Sequence, residues 1–346
     1  MSLVRKENEG ATRREFIRNL AAGTAGLAAG ASLRVLDAAP LPTSQAKKET
    51  KYGKWIKPFI FQEWQGPYRQ YTKHVSEFPN LTIEYGTPAV AGRIGPENPE
   101  VHDFNQVMVF IGADMLNVTD LNADVEFCIG PEKERHLITT SAPVLIPKGL
   151  PHLPATITRM DKRFMVMTVS QASDVKATSA PAGKEDSQAP ASGLADRASK
   201  HRSSFPTLQW VRKGRGFYGP NNLDDAGGLR TAHTWTEPLS FSLSYQSIIK
   251  GPYRFEFDPY KPHVHDYDEQ LLFMGTDCSD LTQLGGEYVM CMGPEMEKHV
   301  VTVPSLIHLP KGFPHVPLVI TRVDKPFIFS MFYAFRESGA AKKKEA

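Results

Sequence analysis

The chain is poor in cysteine, in charge of one sign and in long apolar runs. Three cysteines occur in 346 residues, Cys128, Cys278 and Cys291. An odd count at such wide spacing makes neither a disulfide framework nor a zinc ribbon, and buried, inert thiols are expected. Lys plus Arg number 40 against 38 Asp plus Glu, a net charge of +2. That balance carries no footprint for nucleic acid, and none is expected as a partner. No run reaches the roughly 20 apolar residues of a transmembrane helix. A glycine-rich phosphate loop and a nucleophile elbow are also missing, as is any convincing long amphipathic helix. Proline (27) and glycine (26), by contrast, are plentiful, as in a fold with many turns.

Residues 12–18 read Thr-Arg-Arg-Glu-Phe-Ile-Arg, and an Ala/Gly/Leu-rich stretch runs from Leu20 to Leu33. The pair Arg13-Arg14 with Phe16-Ile17 after it resembles the twin-arginine (Tat) export signal. Cleavage after Ala31 or after Ala39 would suit it, and the first hundred residues offer no cysteine for a lipoprotein anchor. The resemblance implies export through the Tat translocase to the periplasm or beyond, as a folded protein. A metal can then be loaded in the cytoplasm, away from the copper and zinc that the divalent affinity order favours. Residues 1–45 are therefore set aside as signal and flexible start.

The rest is organised by an internal repeat. Shifted by 163 residues (264 − 101), residues 101–170 align with 264–333 without a gap, and 27 of the 70 positions are identical. His102 matches His265, Gly112 matches Gly275, Cys128 matches Cys291, and His136 matches His299. Gly130-Pro131-Glu132 matches Gly293-Pro294-Glu295, and Pro147-Lys148-Gly149 with Pro151-His152 matches Pro310-Lys311-Gly312 with Pro314-His315. The chain is a tandem duplication. Residues 50–170 are assigned to the first copy and 205–336 to the second. Residues 171–204, nearly devoid of large apolar side chains, read as a flexible linker, and 337–346 as a solvated tail.

Within a copy the segments are short and turn-punctuated. Phe241–Tyr245 alternates as a half-buried strand does, Gln270–Met274 stops at Gly275, Tyr288–Met292 stops at Gly293-Pro294, and Pro326–Tyr333 is the last run. Many short strands argue for an all-β antiparallel sandwich or barrel.

The second copy contains His263-Val-His265-Asp-Tyr-Asp-Glu269 and later Pro310-Lys-Gly312-Phe-Pro-His315. Side chains at i and i+2 of a strand share a face, which puts His263, His265 and, further on, Glu269 toward one interior. The Pro-Lys-Gly turn can return His315 to it. Three imidazoles and a carboxylate suit a divalent transition metal and leave open positions in an octahedral shell. In the first copy the same positions hold Glu100, His102, Gln106 and His152. One reading makes these a two-His-one-carboxylate set with Gln106 as a weak fourth ligand. The other, favoured because a His and the carboxylate position changed together, is a site lost after duplication.

HxHxxxE followed by Gly, then PxGxxH, resembles the paired motifs of the cupin family. The resemblance implies two tandem jelly-roll cupin barrels, a bicupin, with His263, His265, Glu269 and His315 as ligands of one ion (Fe or Mn before Ni, Zn or Cu). Whether a second ion sits in the first copy depends on which reading holds. Five residues, not six, separate Glu269 from Gly275, so a bulge would make Gln270 the inward residue instead. The implied functions are a metal-dependent dioxygenase, decarboxylase or isomerase acting on a small organic acid or phenolic compound. Against it stand a non-catalytic ligand- or metal-binding protein and a structural, storage-like one. A homodimer through sheet faces is a further implication. His136 and His299 read as packing residues, and His308 as a strand histidine in a packed setting. Tyr267, Arg254 and Arg322 are candidates to reach a substrate carboxylate.

Overall fold

The computed structural model describes residues 50–76, 80–176, 178–179, 200–206, 230–235, 241–255 and 262–333. The Tat-like segment, the tail after 336, most of the linker and the Arg254 side chain lie outside the described residues. Those that are described form strands, two single 3-10 turns and no α-helix.

Four antiparallel sheets pair into two barrels. In the first copy, strands Ala142–Ile146, Gln106–Gly112, Phe164–Ser170, Leu81–Pro88, Tyr68–Ser76 and Gln62–Gln65 face a sheet built on His152–Met160, Asp120–Ile129 and Glu134–Thr140. The second copy repeats this with Ser305–Leu309, Glu269–Gly275, Phe327–Tyr333 and Phe241–Ile248 against His315–Val323, Gly286–Met292 and Glu297–Val301. The pairing registers repeat with the same offset: Phe164 lies opposite Gly112 as Phe327 lies opposite Gly275, and His152 opposite Ile129 as His315 opposite Met292. Several identities of the repeat gain a physical reason. A Cβ on Gly112 or Gly275 would collide with the carbonyl of Asp120 or Gln283. Lys162 and Lys325 hold Asp114 and Asp277 at 3.1 and 2.8 Å.

Three apolar cores result. One fills the first barrel, around Phe110, Phe127 and Phe164. A second fills the other barrel, around Phe273, Tyr288 and Phe327. The third is shared: Ile83, Tyr85, Val107, Val109 and Met167 of the first copy meet Leu272, Met274, Leu306, Ile328 and Phe332 of the second. The strands at this seam are buried on both faces, which is why they read as continuous apolar runs rather than alternating ones. Polar ties also cross it. The Tyr85 hydroxyl donates to the Gly275 carbonyl at 2.7 Å, and the Leu281 N–H donates to Gln70 Oε1 at 2.6 Å.

The first residues assigned to each copy depart from the sequence boundaries. Ile56–Pro58 pairs with Ser305–Leu309 of the second copy, and Tyr52 lies in that barrel's core. Phe205, placed by sequence at the start of the second barrel, is buried in the first. Nor is the expected linker free throughout: Thr178–Ser179 pairs with Val101 and Glu100, and Arg202–Ser204 forms a 3-10 turn. Each copy thus receives an arm from the other's side of the chain, because an apolar arm buries its rings wherever a complementary edge stands open. The three cysteines form no disulfide; Cys278 and Cys291 are buried and Cys128 is half-buried.

Because the shared core belongs to both barrels, Phe332→Ala should cost about 3–5 kcal/mol, the range for deleting a buried aromatic ring. Chemical denaturation followed separately in each barrel should show both transitions shifting together. A shift confined to the second barrel would contradict a shared core.

Candidate metal centre

Strand parity settles the carboxylate. Along Glu269–Gly275, Leu271 and Phe273 enter the barrel core while Leu272 and Met274 enter the seam. Glu269 therefore faces the barrel interior and is buried. Gln270 faces the seam, where its amide lies 2.7 Å from His308 Nδ1. No bulge exchanges the two, and His308 is a packed seam histidine as its sequence setting suggested.

His263 and His315 exchange backbone hydrogen bonds of 3.1 Å in each direction as an isolated bridge. Their rings lie 4.3 Å apart, and those of His263 and His265 4.7 Å apart. The ligand atoms of His263, His265 and His315 lie within 4.8 Å of one another. Glu269 Oε2 closes the set, 3.1 Å from His315 Nε2 and 3.5 Å from His265 Nε2. The Pro-Lys-Gly turn is pinned to this cluster: Gly312 N–H donates to the His265 carbonyl and Lys311 N–H to Asp268 Oδ1, both at 2.8 Å. Gly312 adopts a positive φ of 74°, the backbone region that favours glycine. Tyr267 stacks on His265, with centroids 4.7 Å apart and planes 11° from parallel.

The first copy builds the same frame with altered chemistry. Glu100, His102 and His152 bring their ligand atoms within 4.8 Å, Glu100 Oε1 lying 3.3 Å from His102 Nε2 and 3.7 Å from His152 Nε2. Gly149 N–H donates to the His102 carbonyl and Lys148 N–H to Asn105, while Phe104 stacks on His102. Gln106 is buried but turned to another task, donating to Ser170 Oγ at 3.0 Å.

The donor sets fit a cation. His315 Nδ1 lies 3.0 Å from the Phe313 carbonyl. A carbonyl only accepts, so that nitrogen carries a proton, and Nε2 is the nitrogen that faces the Glu269 carboxylate, 3.1 Å away. His152 is fixed in the same way by the Leu150 carbonyl at 3.1 Å, and its buried Nε2 has no hydrogen-bond partner. Lone pairs of nitrogen and oxygen converging in a buried space call for a positive charge between them. At neutral pH a proton does not supply it on two of the rings. Burial, reinforced by neighbouring imidazoles, lowers His263 and His152 to about 4. Glu269 stays ionised: burial pushes its pKa up, but contacts from His265 and His315 outweigh that and hold it at about 2.

Other sequence candidates fall away from the centre. Arg322 is exposed, its Nε on Asp324 at 2.8 Å. His299 lies 2.9 Å from Glu297, and His136, also 2.9 Å from Glu134, stacks on Phe205 at 4.0 Å. Sequence reasoning missed Asp268 and Asn105, which hold the turns; their signal was a short acceptor at matched positions. It also missed a third cluster, Glu132, Glu134 and His201. Lys200 already lies 3.5 Å from Glu132 there, and the second copy fills the same places with Tyr52, Glu295, Glu297 and Lys51. This cluster is a clasp for an arm.

No known family profile matches the chain, and no curated protein matches it. Solved structures do. A vicilin from Corylus avellana (hazelnut) aligns at a TM-score of 0.50 and 13% identity, covering 81% of this chain and 85% of that one. A 7S globulin from Momordica charantia aligns at 0.50 and 11% identity, covering 81% and 83%. An oxalate decarboxylase of Bacillus subtilis aligns at 0.49 and 10% identity, covering 82% and 77%. The fold is a bicupin fold. At identities this low the likeness speaks for the fold and for nothing else.

Both clusters keep a ligand geometry, so the chain saturated with Mn(II) should carry two ions. His315→Ala should remove one, and His315→Ala with His152→Ala both, as counted by elemental analysis. A single ion in the wild type, lost with His315, would leave the first barrel as a site that kept its shape but not its affinity.

Proposed function

We propose that the chain is an exported, metal-dependent bicupin enzyme that acts on a small organic acid or phenolic compound, with the second barrel as its reaction chamber. The observation that carries this reading is the convergence of His263, His265, Glu269 and His315 at one buried point, where no Lys or Arg of the described residues pairs with the carboxylate. A divalent transition metal bound there, Fe or Mn before Ni, Zn or Cu, supplies Lewis acidity or oxygen activation. The chain's own residues do the rest. The Phe313 carbonyl fixes the His315 tautomer, Glu269 brings the negative charge, and the ring of Tyr267 orients His265. Arg13-Arg14 and the apolar stretch after them support export by the Tat translocase, after folding and metal loading inside.

A second reading, a non-catalytic binding or storage-like protein, is favoured by the filling of the second barrel. Phe273 and Tyr288 stack at 3.6 Å there, beside buried Leu271, Met290, Met292 and Met331. Turnover separates the two readings. Metal-loaded protein is assayed for oxygen uptake and carbon dioxide release with short carboxylic acids, hydroxy acids and phenols. The enzyme reading expects a substrate whose turnover falls at least a hundredfold in His315→Ala. Bound metal with no turnover across the panel selects the second reading.

A further inference from the structure

We infer that the arm Lys51–Phe59, which opens the first copy in sequence, is a positioning element for the metal site of the second copy, acting through Trp55 and Tyr52 on Phe313. The inference rests on the metal reading of that site. Phe313 supplies the carbonyl that orients His315, and two rings of the arm hold its side chain. Trp55 meets it edge-on at 4.2 Å and 87°, and Tyr52 meets it at 5.1 Å and 63°. The Tyr52 ring also covers Gly293, where a Cβ would collide with it, and Gly293 N–H donates to the Pro314 carbonyl at 2.8 Å. Both residues before His315 are thus held from the arm's side.

The arm itself is fastened at both ends. Lys51 and Tyr52 reach Glu295 at 2.7 Å each, and their N–H groups donate to Glu297 at 3.1 and 3.2 Å. At the other end Ile56 pairs with Ile307, and Phe59 N–H donates to the Pro304 carbonyl at 2.9 Å.

The first copy provides the internal comparison. Its clasp aligns with this one at an offset of 149 (202 − 53, from the two 3-10 turns), so His201 replaces Tyr52 and Ser204 replaces Trp55. The turn residue there is Leu150 rather than Phe313. The frame is kept, yet among the described residues the aromatic trio on the turn exists only where the full three-His-one-Glu set exists. A packed ring cluster has few alternative arrangements. It therefore holds the carbonyl where the His315 Nδ1 proton needs it, the kind of outer support on which metal affinity depends.

Because coupling between sites is reciprocal, metal bound in the second barrel must in turn hold the arm. The test uses the full chain, stripped with chelator and titrated with Mn(II), in a His152→Ala background that leaves only the second site. Trp55→Ala should weaken Mn(II) binding by about tenfold or more, the usual effect of losing an outer-shell partner, and Trp55→Phe should restore most of it. Saturating Mn(II) should slow tryptic cleavage after Lys51 and Lys54, and should not do so when His315→Ala is present. Ile157→Ala, in the other barrel's core, is the control for lost stability, with melting temperature as the common scale. Unchanged affinity in Trp55→Ala overturns the arm's role. So does a loss that Ile157→Ala reproduces at the same drop in melting temperature. If the His152→Ala parent binds no Mn(II) that His315→Ala abolishes, the metal reading falls and the arm's role with it, an outcome distinct from the other two.

Discussion

Burial on both faces of the strand Glu269–Gly275 is the constraint on which the rest depends. One face fills the barrel and the other fills the seam between barrels, so every side chain along it has an assigned side. A slip of one residue would turn Glu269 into the seam and Gln270 into the metal cluster, and would at the same time move Phe273 and Leu272 out of their cores. The apolar neighbours thus fix the position of the carboxylate more firmly than any contact it makes itself. The same holds for Gln106 on Gln106–Gly112 in the first copy.

Duplication preserved the frame and released the chemistry. Turn glycines, the lysine–aspartate pairs, the tie from turn to histidine carbonyl and the ring stacked on the second histidine all recur at one offset. At the site the differences that change the chemistry are His263 against Glu100, Glu269 against Gln106 and Phe313 against Leu150. The first barrel also stabilises the second directly, through the seam, whatever its own metal does.

The proposed function draws on this division of labour. A buried carboxylate among imidazoles is costly without a cation. The fold meets that cost by supporting the site from several elements at once: the strand with Glu269, the bridge of His263 to His315, the pinned turn, and the arm from the far end of the chain.

Much of the fold and of the site was legible in the sequence, for one reason: local patterns carry their own geometry. Alternation and turn residues mark short strands, the repeat offset marks two equivalent units, and HxHxxxE with PxGxxH marks residues that strand periodicity and a tight turn bring together. By themselves these determined a duplicated all-β chain and the two candidate clusters. They left open whether Glu269 or Gln270 faces inward, since an alternative register satisfies the motif equally well until the seam is known. They also assigned Tyr52–Phe59 and Phe205 to the wrong barrel, because an aromatic-rich arm such as Tyr52–Phe59 states only that it must be buried. Where it is buried depends on which sheet edge stands open beside it, and that was decided only when the two barrels packed against one another.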